Sequence, residues 1–453
     1  MSFPSYPEYK DSGVEWLGEV PEHWETKPLK RVATYNDEVL AETTADNHDL
    51  KYVEISDVDE QRGITGWSEH TFATAPSRAR RRLRHGDVLI STVRTYLRAI
   101  APVIKPPENL IGSTGFAAIR SLTGQYDSAL MGYTLRAEWF ISKVIANSVG
   151  VSYPAINATD LTRFHVPVPP LPEQTQIAAF LDHETAKIDA LIREQKRLIA
   201  LLKEKRQAVI SHAVTKGIDP AAPMKDSGVE WLGEVPAHWS VMKFIRCVRI
   251  SEGQVDPRLS PFKDMILIAP NHVESGSGRI KLVETASDQG AVSGKYVCNP
   301  GDVIYSKIRP ALRKACMVDY AALCSADMYP LRAFNELTGP FLLFSILSEG
   351  FSRLTILESE RVAMPKVNRE SLNEIYMVVP PPSEQKDICS FVNRDTSRID
   401  ELITVSSHTM ELLKERRSAL ISAAVTGKID VRGWAPPADA APIHEKTTRT
   451  EAV

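Results

Sequence analysis

The 453-residue chain is read as an α+β protein: two tandem domains of mixed α/β structure, separated by a pair of long antiparallel coiled-coil helices and related by an internal pseudo-twofold repeat. Three observations predict this. Most of the chain is written twice, each copy holds short runs rich in β-branched residues, and each copy closes with a proline-dense connector followed by a long helical period. With 43% apolar residues, and at about 150 residues per domain, the chain is too long and too apolar for one small domain or a disordered segment.

The repeat is read first. Lys10–Trp24 is KDSGVEWLGEVPEHW and Lys225–Trp239 is KDSGVEWLGEVPAHW, 215 positions later with one difference, Glu22 against Ala237. Gly86–Arg98 (GDVLISTVRTYLR) matches Gly301–Arg313 (GDVIYSKIRPALR) at the same offset. A third block, from Pro154 to Ile192, matches Pro365 to Ile403 at an offset of 211, and a fourth, Leu201–Asp219, answers Leu412–Asp430. Residues 31–85 and 240–300, lying between the same matched blocks, show little similarity. Common blocks around divergent interiors suggest one scaffold presenting two surfaces; duplication followed by drift is the plainer account, but drift should have eroded the Trp/His/Pro segment as well.

The elements follow in order. Val14, Trp16, Leu17, Val20 and Trp24, with Val229, Trp231, Leu232, Val235 and Trp239, form a turn-rich aromatic anchor that packs on a domain face. Short β-rich runs come next, such as Lys51–Ser56 and Met265–Ala269. A Gly-Asp turn then leads into the strand Val-Leu-Ile-Ser or Val-Ile-Tyr-Ser. Val166-Pro-Val-Pro-Pro-Leu-Pro and Val378-Val-Pro-Pro-Pro read as extended polyproline connectors, since such proline density forbids helix.

Beyond each connector the period becomes helical. Ile188, Leu191, Leu198, Leu202 and Val209 recur at steps of three and four, as do Ile399, Leu402, Thr409, Leu413 and Leu420, with Gln195, Lys205, Ser406 and Arg416 interrupting the seam. Glu173 and Glu384 follow proline at the helix starts, and Gly217 and Gly427 mark the ends. A helix of roughly 40 residues spans about 60 Å, and its apolar stripe demands a partner. The other copy of the same helix is the nearest candidate; pairing between two chains is the alternative. The expected boundaries are 1–172 for the first domain, 173–216 for the first helix, 217–224 for a linker, 225–382 for the second domain, 383–427 for the second helix and 428–453 for a disordered tail.

Charge is unevenly placed. The 54 Lys+Arg against 57 Asp+Glu leave a formal net charge of −3, which by itself advertises no polyanion partner. Yet Arg78, Arg80, Arg81, Arg82, Arg84, Arg94 and Arg98 crowd one stretch with Asp87 as the opposing acid. Lys295, Lys307, Arg309, Arg313 and Lys314 crowd the matching stretch beside Asp302. Ser91, Thr92, Thr95, Tyr96, Tyr305 and Ser306 lie among them. Arginine binds phosphate bidentately and reaches the O6 and N7 of guanine, and hydroxyl groups add donors to phosphates and base edges, so the two stripes are candidate DNA contacts. A solvated strand edge guarded by charge is the bland reading.

Motifs of catalysis are missing: there is no phosphate loop, no dinucleotide fingerprint, no zinc-protease helix and no nucleophile elbow, and no Asp/Asn-Pro-Pro-aromatic signature of adenine methylation. His183-Glu184 falls on the expected coiled-coil face, where a solvated surface is the simpler reading. Cys247, Cys298, Cys316, Cys324 and Cys389 form no C-x-x-C pair and are read as reduced, mostly buried thiols, with no metal site. Met1–Lys10 is polar and the longest apolar run, Phe341–Leu347, is far short of the roughly 20 residues of a membrane span, so no membrane and a cytoplasmic location are expected.

The duplicated DSGVEWLGEVPxHW opening, the Gly-Asp-Val/Ile-hydrophobic-Ser strand and the PPLPEQTQIA run into a long Ile-Asp-x-Leu-Ile helix resemble the specificity subunit of type I restriction-modification systems over about residues 10–430. The resemblance implies two target-recognition domains, each reading one half of a split sequence in double-stranded DNA. It implies helices that set the spacing of the half-sites and dock two adenine-methyltransferase subunits, with restriction/translocase subunits joining the complex. It also implies a subunit with no turnover and no cofactor of its own, S-adenosylmethionine, ATP and Mg belonging to partner subunits. A coiled-coil scaffold joining two protein-binding domains without DNA binding is the other reading of the same residues.

Overall fold

Residues 3–60, 62–359 and 366–435 are the described part of the computed structural model. They form two compact units: the first takes the chain up to Glu194 and again from Thr409 onward, the second takes Gln195–His408. The chain passes between the units inside two long helices, α1 (Leu171–Lys216) and α2 (Pro382–Val425). Each unit therefore owns the first half of one helix and the last half of the other.

Each unit is α+β with two four-stranded sheets. In the first unit an antiparallel sheet runs Ile100–Pro102, Val88–Ser91, Phe116–Ser121, Ala33–Tyr35; in the second its counterpart runs Ala315–Met317, Val303–Ser306, Met328–Ala333, Val248–Ile250. The Gly-Asp-Val strand is an interior strand of this sheet and is buried along its whole length, as an unbroken apolar run requires. Asp87, just before it, is 1% exposed and receives Arg120 bidentately, Nε to Oδ1 at 2.7 Å and Nη2 to Oδ2 at 2.8 Å. Arg332, on the matching strand, donates from Nε to Oδ1 of Asp302 with a single bond. The acid within each basic stripe is thus consumed inside the fold.

The second sheet locates the divergence between the copies. Both units share a trio: a parallel pair (Asp49–Val53 with Leu110–Ser113; Leu267–Ile268 with Ala322–Cys324) and an antiparallel third strand (Ala79–Arg82; Lys295–Cys298). The fourth strand sits on opposite edges. Ser68–Thr71 pairs beside Asp49–Val53 in the first unit, whereas Gln254–Val255 pairs beside Lys295–Cys298 in the second. At each remaining edge the counterpart shrinks to an isolated bridge, Val39 to Arg81 and Ile266 to Thr285.

The proline-dense connectors correct an expectation. His165–Val168 and Tyr376–Val379 are not polyproline spacers but strands, paired antiparallel with Glu25–Pro28 and Ser240–Lys243. A two-stranded ribbon tolerates proline wherever the missing N–H points away from the partner.

The helix seam is also corrected. Ile188, Ile399, Leu202 and Leu420 are buried, and Val209 and Leu413 half-buried, but Leu191, Leu198 and Leu402 are exposed. The buried line instead runs Ile188, Ile192, Leu202, Arg206, Ile210 on α1 and Ile399, Ser406, Leu420, Ile421 on α2. Globular cores grip each helix at its ends, through Ile177, Phe180 and Leu181 or Ile388 and Val392, and so set which face turns inward. A leucine one position off that line lies about 100° round the helix. Within the first unit Arg417 of α2 donates to Asp189 of α1, and within the second Arg206 of α1 donates to Asp400 of α2.

The matched sequence blocks meet at the helix ends. Glu173 at the start of α1 accepts from Trp24 Nε1 at 3.0 Å and from the Tyr6 hydroxyl, and lies 2.8 Å from His23 Nε2. Glu384 at the start of α2 lies 2.7 Å from His238. Gln174 and Gln385 each bridge backbone groups of their unit, Asp127 N–H and Pro169 C=O in the first, Thr338 N–H and Pro380 C=O in the second. The Pro-x-His-Trp and Glu-Gln strings are two sides of one joint. Gly427 closes α2 with φ +74°, and a Cβ there would stand 2.3 Å from Pro21, so only glycine fits.

The expected disordered tail is partly ordered. Ile429 and Val431 are buried, the Trp434 ring meets Phe180 edge-on at 5.5 Å, and Asp430 N–H donates to Pro4 C=O. The rest of that segment, 436–453, lies outside the described residues. No single helix among the described residues is long and apolar enough to cross a membrane, and the bent pair Gly339–Leu347 and Glu349–Ser359 contributes Phe341, Leu342, Leu347 and Phe351 to the core of the second unit.

Candidate nucleic-acid interface

In the first unit the basic stretch divides by its partners. Arg84 donates to Glu38 at 3.0 Å, and Arg98 grips Glu138 with two bonds of 2.8 and 2.9 Å and reaches Glu60. Both are neutralised within the fold. Arg78, Arg80, Arg81, Arg82 and Arg94 have no ion pair among the described residues. Arg78, Arg82 and Arg94 are exposed, Arg80 lies over the Phe72 ring at 5.1 Å, and burial alone pulls the Arg81 guanidinium below its ordinary value. Five cations thus stand without an internal counter-charge, the condition in which an external phosphate gains most.

Backbone hydrogen bonds tie the segments of Arg78 and Arg94 together through Thr114–Gly115 and Thr92. Thr114 N–H donates to Arg78 C=O, Thr92 N–H to Gly115 C=O, Ile156 N–H to Thr92 C=O, and Arg94 N–H to Pro154 C=O. Arg94 and Arg98 bracket a short 3-10 turn and both adopt left-handed backbone, φ +51° and +53°. Arg309 and Arg313 bracket the matching turn of the second unit with φ +48° and +47°. A non-glycine residue held there costs of order 1 kcal/mol, so its recurrence in both copies, with Arg94 and Arg309 exposed, indicates a shape retained for use.

Several predicted contact residues are corrected. Ser91 and Ser306 are buried and donate to Val93 and Ile308 carbonyls, and Tyr305 is packed in the core, where burial pushes its hydroxyl up to about 12. Lys295 is buried with Nζ on Ser293, and burial draws its ammonium below the ordinary value. Thr92 donates to Gly115 C=O, Arg313 to Ser352 and Lys314 to Pro270 C=O. For Ser91, Tyr305 and Ser306 the cause is that the Gly-Asp-Val strand is covered on both faces, so its hydroxyls cannot reach a ligand. Tyr96 remains exposed.

The structure also adds residues that linear reading missed. Tyr153 stacks under Arg94 at 5.0 Å, and Lys51 stands over the exposed Trp67 at 5.8 Å. In the second unit Lys307 lies over Tyr329 at 5.0 Å, with Arg369 over the same ring at 5.1 Å and Lys366 exposed beside them through the Ile308–Lys366 bridge. These partners lie 16 to 59 positions apart in sequence, where no spacing rule points. Chemically, the first unit offers unpaired guanidinium groups and the second a smaller set of cations on tyrosine faces.

Comparison with known proteins gives a consistent set of likenesses. The family model described as the type I restriction modification DNA specificity domain matches residues 21–200. The EcoDI specificity subunit of Escherichia coli is 27% identical over 347 residues, covering 71% of this chain and 77% of that protein. A putative MjaX specificity subunit of Methanocaldococcus jannaschii is 23% identical over 436 residues, covering 92% and 96%. A solved structure described as the basis of complex assembly and conformational transition of the type I R-M system aligns with a TM-score of 0.72 at 23% identity, over 90% of this chain and 99% of that one. The HsdS subunit of Thermoanaerobacter tengcongensis aligns at 0.52 and 21% identity, over 90% and 98%. The two structures share its fold.

Proposed function

The chain belongs to the family of type I restriction-modification specificity subunits, and from that membership we propose that it is the DNA-recognition subunit of such a system, each unit reading one half of a bipartite duplex target. The observation that carries the two-half reading is the repeated frame with its fourth strand on opposite edges: one scaffold, two different reading surfaces. In the first unit Arg78, Arg80, Arg81, Arg82 and Arg94, with Tyr96, supply phosphate and base contacts; in the second Lys307 and Arg309 do so. The subunit recognises and does not turn over substrate; adenine methylation with S-adenosylmethionine, and ATP- and Mg-dependent cleavage, belong to partner subunits.

Helices α1 and α2 set the gap between the half-sites. At 46 residues α1 is about 69 Å long, the order of two turns of B-DNA. Leu191 and Leu412 in the first unit, and Leu198, Leu201 and Leu402 in the second, are exposed apolar positions on the helices at which two methyltransferase subunits dock.

The test is exchange of residues 31–165 for the interior of a relative, with the methylated sequence mapped in cells. One changed half of the target supports the reading; two changed halves, or none, overturn it, and a chain that binds no duplex when assembled with its methyltransferase is a protein scaffold instead.

A further inference from the structure

Between Ser148 and Pro154 the first unit carries a loop whose side chains contradict ordinary surface chemistry. Val149 is 81% exposed, Val151 is 101% exposed and Tyr153 is 66% exposed. The loop is not frayed. Val149 and Ala155 exchange both backbone hydrogen bonds, at 2.8 and 3.0 Å, and Arg94 N–H holds Pro154 C=O at 2.8 Å. Gly150 has φ +115°, and a Cβ there would stand 3.2 Å from the Tyr153 carbonyl, so the turn is built on glycine. A pinned loop that places three apolar side chains in water gains nothing from the fold for doing so.

Its surroundings identify the occupant. Arg94, exposed and held in left-handed backbone, lies 5.0 Å from the Tyr153 ring, and Arg78 is joined to the same end of the unit through Thr114. An apolar tip inside a field of unpaired guanidinium groups suits a partner that is anionic outside and apolar inside. Duplex DNA has that build: phosphates flank a stack of bases, and apolar side chains can part a base step while arginines hold the backbone. An apolar peptide would leave the arginines without counter-charge.

We propose that Val149, Val151 and Tyr153 form a wedge that enters and opens a base step within the half-site read by the first unit, with Arg94 clamping the adjacent phosphate. This rests on the DNA-recognition reading and adds to it a distortion of the target, so that sequence is read partly through the ease of unstacking.

The experiment uses the chain assembled with its methyltransferase partners and a target duplex mapped from cellular methylation, with 2-aminopurine placed in turn across that half-site. The wild-type complex should raise fluorescence severalfold at one step. Val151→Ser with Tyr153→Ala should return that step to the free-duplex level and weaken binding about tenfold, whereas Tyr153→Phe should keep the signal. Val149→Ser is an independent second probe, and all of these exposed positions should leave the melting temperature unchanged. A complex that binds the duplex with no enhanced step, or with a step indifferent to these variants, overturns the wedge and leaves DNA recognition intact. Loss of methyltransferase co-purification with an unchanged optical signal assigns the loop to a protein interface and overturns it too. A complex that binds no duplex overturns both readings.

Discussion

Arg206 of α1 donates from Nε to Oδ1 of Asp400 of α2 at 2.9 Å, while its other nitrogens hold the carbonyls of Gly276 and Ser277. The repeat-related pair, Arg417 on Asp189, has the same 2.9 Å length in the first unit, but among the described residues Arg417 holds no backbone carbonyl, and Asp189 is 40% exposed. An inward-facing arginine in each helix seam is therefore a feature of the repeat, and its weight differs between copies. Arg206→Ala should cost about 2–3 kcal/mol because it leaves two carbonyls without this donor and removes one of the two arginines on a largely buried carboxylate, Arg279 keeping the other oxygen. Arg417→Ala should cost no more than about 1 kcal/mol. Urea unfolding followed by circular dichroism measures both, and equal losses would show that the apolar seam alone holds the helices.

Binding to duplex DNA should separate the arginines by their internal partners. Arg82→Ala and Arg94→Ala should each lower the slope of log affinity against log salt by about 1, since each removes a cation with no acid beside it. Arg84→Ala and Arg98→Ala should leave the slope unchanged and lower the melting temperature, because Glu38 and Glu138 already hold those charges. Fluorescence anisotropy across a series of KCl concentrations decides the matter; a fall in slope for Arg98→Ala would place it on the DNA.

Glu173 and Glu384 occupy the same place in sequence but not in energy. Glu173→Ala deprives Trp24, Tyr6 and His23 of their shared acceptor and should destabilise the first unit by about 3 kcal/mol, as buried donors are left unpaired. Glu384→Ala removes a half-exposed contact to His238 and should cost about 1 kcal/mol. Calorimetry of the two variants should show the larger loss for Glu173→Ala; the reverse order would deny the buried carboxylate its role.

The thiols make a prediction in pH. Burial pushes Cys247, Cys316 and Cys389 up to about 12, above the ordinary thiol value of about 8.5. A folded value above the unfolded one means that their contribution to stability is full below the unfolded value and lost as pH rises past it. The native protein should resist a thiol reagent at pH 8, react at all five cysteines once unfolded, and lose stability between about pH 8.5 and 12. Rapid labelling of the native state would refute the buried assignment.

Legibility in the sequence followed the range of the interaction. The long helices were visible because their period and their bordering prolines and glycines are local, and the duplicated Pro-x-His-Trp and Pro-Glu-Gln strings announced themselves by near-identity. What joins those strings, the Trp24–Glu173 bond, spans 149 positions and has no local trace. The basic stripe was readable as a stripe, but the residues that disarm Arg84 and Arg98 lie 46 and 40 positions away. The serines and Tyr305 read as contacts because a strand covered on both faces looks, in one dimension, like one with a free face.

By itself the sequence determined the duplication, the existence of both long helices and the stretch where positive charge concentrates, since each is written in contiguous residues. Only the tertiary structure decided which arginines remain uncompensated, which helix face is the seam, and on which edge of each second sheet the fourth strand pairs. Those depend on burial and on charges meeting across distant segments, and Leu191, one residue from the buried Ile192, shows how a single step round a helix exchanges core for solvent.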